Sequence, residues 1–171
     1  MKLEGRYLFH LPIEQVYEAL RDEALIRRAL PGHVYFRMTS PTHYEGALEL
    51  DVPKMGGHYE GELDVTETIA PTFYRLSATA RGPEDRRVTA EGTVTLTALA
   101  PRETEVHYAG TTDALAEFNR LVQLAARPIA VHLANRALHH FEAILSEEPP
   151  MTEAAPNEST VEERPQPTEW R

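Results

Sequence analysis

Between Tyr44 and Gly110 the chain alternates apolar and polar residues with a period of two. One parity reads Tyr44-Gly46-Leu48-Leu50, Tyr59-Gly61-Leu63-Val65, Tyr74-Leu76-Ala78-Ala80, Val88-Ala90-Gly92-Val94-Leu96 and Val106-Tyr108-Gly110. The other parity carries Glu45, Glu49, Glu60, Glu62, Asp64, Arg75, Glu91, Thr93, Glu105 and His107. Side chains alternate across a strand, so this pattern predicts antiparallel strands with one wet face. Lys2 to His10 and Val34 to Thr39 add two more strands. After the first strand, Pro12 opens a helix in which Ile13, Val16, Tyr17 and Leu20 recur at helical spacing. A second short helix runs from Asp22, as N-cap, to about Leu30, where Pro31-Gly32 stops it. The last element is a long helix from about Ala114 to Leu145. Its apolar stripe is Phe118, Val122, Ala125, Ile129, Leu133, Ala137, Phe141 and Ile144. Pro128 lies inside it and predicts a kink or brief break, because proline removes a backbone donor.

This order predicts an α+β architecture of the helix-grip type. A seven-stranded curved antiparallel sheet wraps around the long C-terminal helix, and two short helices follow the first strand. The dry face of the sheet is rich in glycine and alanine. Protein cores are close-packed, so rows of small residues leave space unless something large fills it. The pattern therefore points to a cavity between sheet and helix, and to a ligand.

Charge is unevenly placed. The chain has 171 residues and a formal net charge of −10. Ser146–Arg171 holds seven Glu and two Arg, with Pro149, Pro150, Pro156, Pro165 and Pro167. Such a segment buries too little apolar surface to offset chain entropy. We therefore divide the chain into a domain at 1–145 and an acidic, Pro/Glu-rich disordered tail at 146–171, read as a solubilising end. An acidic chain without a basic block is a poor partner for nucleic acid. Cysteine is absent, which excludes disulfides and thiol chemistry. No apolar leader or membrane-length stretch occurs in the sequence, so the expected location is the cytoplasm.

Several segments in this order resemble the START/Bet v 1-like superfamily, and within it the carbon monoxide dehydrogenase G-subunit (CoxG) family. They are Met1-Lys2-Leu3-Glu4-Gly5, Pro12 through Ala19-Leu20, Ala29-Leu30-Pro31-Gly32, Tyr59-Glu60-Gly61, Pro71 through Tyr74-Arg75-Leu76, and Ala90-Glu91-Gly92-Thr93-Val94-Thr95-Leu96. The resemblance implies binding of a hydrophobic small molecule, lipid- or quinone-like, in the grip cavity. It also implies a role as accessory factor to a redox enzyme of the carbon monoxide dehydrogenase type. The sequence departs from the family at Gly82-Pro83-Glu84-Asp85-Arg86-Arg87, which is more charged than the glycine-rich stretch usual there. The acidic tail is repelled by anionic lipid, so no stable membrane anchor is expected.

Tyr7, Tyr44, Tyr59, Tyr74 and Tyr108 all fall on the predicted inner face. A buried phenol needs a hydrogen-bond partner, either backbone or ligand. With Gly61, Ala78, Ala90 and Gly92 from the sheet and Val122 and Ile129 from the helix, these tyrosines are the candidate ligand-binding residues. The histidines form no metal-binding spacing, and no cofactor fingerprint is present. Most carboxylates lie on the outer parity. Glu67 continues the Leu63-Val65 row, and we expect it where that strand leaves the core. The leading expectation is a non-enzymatic carrier or sensor of a hydrophobic small molecule. The alternatives are an enzyme of the polyketide cyclase/aromatase type and a surface adaptor with no ligand.

Overall fold

The computed structural model describes residues 1–30 and 32–147. Seven strands form one sheet: β1 (Lys2–Phe9), β2 (His33–Ser40), β3 (His43–Leu50), β4 (Gly57–Ile69), β5 (Phe73–Arg81), β6 (Arg87–Ala100) and β7 (Glu103–Thr112). Their spatial order is β1-β7-β6-β5-β4-β3-β2, with every pair antiparallel. Two short helices, α1 (Ile13–Ala19) and α2 (Glu23–Ala29), carry the chain from β1 at one edge to β2 at the other. The Asp22 carboxylate caps α2, accepting from the Ala24 and Leu25 amides at 2.8 and 3.1 Å. The long helix α3 (Arg120–Glu147) closes the described chain. The α+β, helix-grip architecture is the one expected. The tail assigned to 146–171 lies outside the described residues, apart from Ser146 and Glu147, which end α3.

α3 differs from its expectation in its start and in having no break at Pro128. It begins at Arg120 rather than near Ala114, because the intervening residues are held otherwise. Asp113 accepts from the Thr89 amide and hydroxyl at 2.6 and 2.9 Å, and Leu115 is buried. The Asn119 side chain accepts from the Val122 amide at 3.1 Å and serves as the cap. The helix also continues through Pro128 without interruption.

The glycines of the dry face do a different job from the one expected. The register forms cross-strand rows, among them Gly46-Gly61-Ala80-Val88 and Val65-Leu76-Gly92-Gly110-Leu3. A Cβ at Gly61 would run into the Thr79 carbonyl oxygen. At Gly110 it would lie 2.5 Å from the Glu91 oxygen, and at Gly92 3.0 Å from the Ala109 oxygen. These positions let neighbouring backbones approach closely where the sheet bends, and leave little or no room for a Cβ. A register shift between Val65 and Glu67 breaks the alternation of β4. Glu67 is thereby turned out to Arg75, whose Nε donates to it at 3.0 Å.

The core lies where α1, α2 and the second half of α3 meet the sheet. Phe9, Val16, Tyr17, Leu96, Val106, Phe141, Ile144 and Leu145 are among its buried members. Phe9 is fully buried and meets Phe141 edge-on at 6.5 Å. Phe9→Ala should lower the unfolding free energy by about 3–5 kcal/mol. Leu121→Ala, at a 78 % exposed position, should change it by no more than about 0.5 kcal/mol. Urea titration of the two variants checks this, and equal losses would contradict this placement of the core.

Candidate ligand pocket

Beside that core, sheet and helices do not meet fully. A pocket of about 290 Å³ remains between them. Leu20, Arg21, Ile26, Ala29 and Leu30 supply one wall, from α1, α2 and their flanks. The sheet contributes Tyr44, Leu63, Val65, Tyr74, Leu76, Val94, Val106 and Tyr108. Ala134, Ala137, Leu138 and Phe141 of α3 form the roof. Space exists because α3 offers two alanines where it crosses the sheet. A second cavity of about 160 Å³ adjoins the first and shares Leu30, Tyr44 and Leu63 with it. Tyr59, Gly61, Ala78 and Ala80 belong to this smaller space.

The phenols of the larger pocket are already committed. Tyr44 donates to the Arg21 carbonyl at 3.3 Å, and Tyr74 to the Tyr17 carbonyl at 2.5 Å. Tyr74 is also stacked on the Tyr17 ring at 4.6 Å. Tyr108 donates to Asn135 Oδ1 at 3.0 Å. Its ring lies over Gly5, where any Cβ would collide with it. Burial raises the pKa of all three hydroxyls, so each stays a neutral phenol. The pocket wall carries no carboxylate or histidine among the described residues. It can hold an apolar body, and it presents no acid–base pair.

Tyr7 lies elsewhere and acts as a clamp. Its hydroxyl donates to Glu142 Oε2 at 2.6 Å, while the His10 amide donates to Oε1 at 2.6 Å. His139 Nδ1 lies 3.2 Å from the same phenol. These bonds pin the end of α3 to β1 beside the buried Phe141 and Phe9.

The remaining expected residues are placed as follows. Gly92 lines a separate, more polar cleft with Lys2, Glu4, Arg75 and Arg127. Ala90 borders neither apolar cavity. Val122 and Ile129 also line neither, and Ile129 is 46 % exposed. α3 is turned so that Ala134, Leu138 and Phe141 face the sheet, while Leu121, Leu124, Ile129 and Leu133 face outward. The expected stripe therefore holds in the second half of the helix, where Ala137, Phe141 and Ile144 face inward, and fails before it, where Ile129 and Leu133 are exposed. The residues missed from the sequence include Arg21, Ile26 and Leu30 on the α1–α2 segment and Ala134, Asn135 and Leu138 on α3. For the first three, the helical spacing was visible and its inward face was the signal.

A curved antiparallel sheet gripping one long helix around an apolar pocket defines a START-like helix-grip protein. The chain belongs to the carbon monoxide dehydrogenase G-subunit (CoxG) family, whose model matches residues 5–146. A conserved protein from Geobacillus kaustophilus has a similar structure, with TM-score 0.76 and 19 % identity over 85 % of this chain and 95 % of that one. A START superfamily protein from Mycobacterium smegmatis matches with TM-score 0.58 and 12 % identity, over 84 % of this chain and 93 % of that one. At these identities the likeness is one of fold. No curated protein matches the chain.

Glu142 gives the clamp a pH dependence. Burial pushes its carboxyl up, but hydrogen bonds from His10 and Tyr7 outweigh this and hold it below its ordinary value of 4.5. A carboxyl with a lowered folded pKa adds stability that is complete above the unfolded value and is lost as pH falls through the folded one. Wild-type unfolding free energy should therefore fall more between pH 6 and pH 3 than that of Glu142→Gln, by no more than about 2 kcal/mol, the linkage limit for one carboxyl over that interval. Urea titrations at both pH values check this, and parallel profiles would contradict it.

Proposed function

We propose that this protein binds and carries a hydrophobic small molecule, lipid- or quinone-like, in the pocket between the sheet and α3. The observation that carries this reading is the pocket wall. Aliphatic and aromatic groups dominate it, and the hydroxyls of Tyr44, Tyr74 and Tyr108 are already engaged within the protein. Ligand sites are typically concave, mostly apolar and partly pre-formed, from about 300 Å³ upward. The larger cavity sits at the lower end of that range, and the adjoining one extends it. A cyclase or aromatase would need free ionisable groups inside, and besides the three engaged phenols the wall supplies Arg21, at the α1–α2 corner.

We further propose that the carrier serves a redox enzyme of the carbon monoxide dehydrogenase type. The family description names that enzyme. The surface suited to it is the outward side of α3, where Leu121, Leu124, Ile129 and Leu133 are exposed. Contiguous exposed apolar patches mark protein or membrane contacts. Among the described residues, no helix is long and apolar enough to cross a membrane.

Ala137→Leu tests the binding site. The added carbons enter the pocket roof, so Nile red binding should weaken at least tenfold while the melting temperature holds or rises. In a close-packed core the same change would overpack and cost about 1–3 kcal/mol. A parent protein that does not bind Nile red, combined with a destabilised variant, would overturn the reading.

A further inference from the structure

Tyr59 differs from the other pocket tyrosines. It is 6 % exposed, and its hydroxyl is fully buried with no hydrogen-bond partner among the described residues. The ring lies over Gly82, where any Cβ would collide with it, so the backbone leaves a place for this phenol. Tyr59 lines the smaller cavity, with Ala47, Leu48, Gly61, Ala78 and Ala80 among its neighbours there. The Tyr35 hydroxyl on the same cavity is taken by Glu60 at 2.5 Å. A buried phenol without a partner is costly, and native structures seldom leave one. A buried water needs two to four polar partners, and these chiefly apolar walls offer few.

We propose that Tyr59 is the polar anchor of the ligand, donating its hydroxyl hydrogen to a carbonyl oxygen at the inner end of a neutral, apolar molecule. This rests on the binding reading above. In this proposal the ligand body lies in the larger pocket and its carbonyl end enters the smaller one, displacing the side chains that now cover the Tyr59 hydroxyl. A carbonyl suits the site because it accepts and has no hydrogen of its own to leave unpaired. A ligand hydroxyl would leave one hydrogen without an acceptor. A carboxylate is disfavoured because Glu62 lines the same cavity and Glu60 follows Tyr59 in the chain. The ligand class is therefore a ketone, quinone or ester, and not a free fatty acid.

Two matched probes test this: 2-undecanone and 2-methyl-1-undecene, in which a methylene replaces the carbonyl oxygen. Both are titrated into the wild-type protein and Tyr59→Phe by ligand-observed NMR. The ketone should bind the variant about three- to tenfold more weakly. The alkene should bind the variant at least as well as the wild type. If both probes bind and the variant treats the ketone like the alkene, the anchor is overturned while the pocket reading stands. Failure of either probe to bind either protein would overturn both. The wild type alone also decides the question, should Tyr59→Phe not fold. A carbonyl-13C label in bound ketone should resonate downfield of its position in hydrocarbon solvent. An unshifted resonance would overturn the proposal.

Discussion

Phe141 and Glu142 are adjacent on α3, and between them they close the grip. Phe141 turns inward to Phe9, where apolar area is removed from water. Glu142 reaches β1 and collects the Tyr7 hydroxyl and the His10 amide. A charge-assisted pair of bonds on one carboxylate fixes helix position more narrowly than apolar contact can. Everything along α3 follows from that fixed end. Ile144 and Leu145 seat in the core beyond it, and Ala137 and Ala134 lie over the pocket before it. The helix is gripped tightly at one end, and the sheet stays open beneath its middle.

The sheet meets this constraint from the other side. Its glycines let strands crowd where it bends, and they let two tyrosine rings lie flat against backbone. Tyr108 lies over Gly5 and Tyr59 over Gly82. The pocket owes its volume to small residues on the helix and to curvature. It does not owe it to glycines pointing into emptiness. This distinction matters for function. A wall of aromatic rings on a bent sheet is shaped in advance, so a ligand entering it has little ordering cost to meet.

Much of this architecture is legible in the sequence. Alternation between Tyr44 and Gly110 locates five of the seven strands, and Asp22 and Pro12 mark the starts of the short helices to within a residue. Tyr44, Tyr74 and Tyr108 fall on the inner face, as the alternation implies, and border the larger pocket. What alternation could not supply is depth along the sheet. Gly61 and Gly92 look equivalent in sequence, yet one lines an apolar cavity and the other a polar cleft. Periodicity orients only the second half of α3: Ala137, Phe141 and Ile144 turn inward as expected, while Ile129 and Leu133 of the same stripe lie outside. Which stripe turns inward is decided by Phe141 and Glu142 near the far end, through contacts with residues more than 130 positions away in the chain.

Membership of the CoxG family sets the fold, and the pocket gives that fold its chemical content. Function turns on whether the pocket is a ligand site, as proposed, rather than a packing defect. Native mass spectrometry of the protein purified from its own host tests this most directly. The expected spectrum shows a population heavier than the polypeptide by the mass of one neutral apolar molecule, which gentle collisional activation releases. A bare polypeptide mass that persists after incubation with the host's own neutral lipid extract would contradict it.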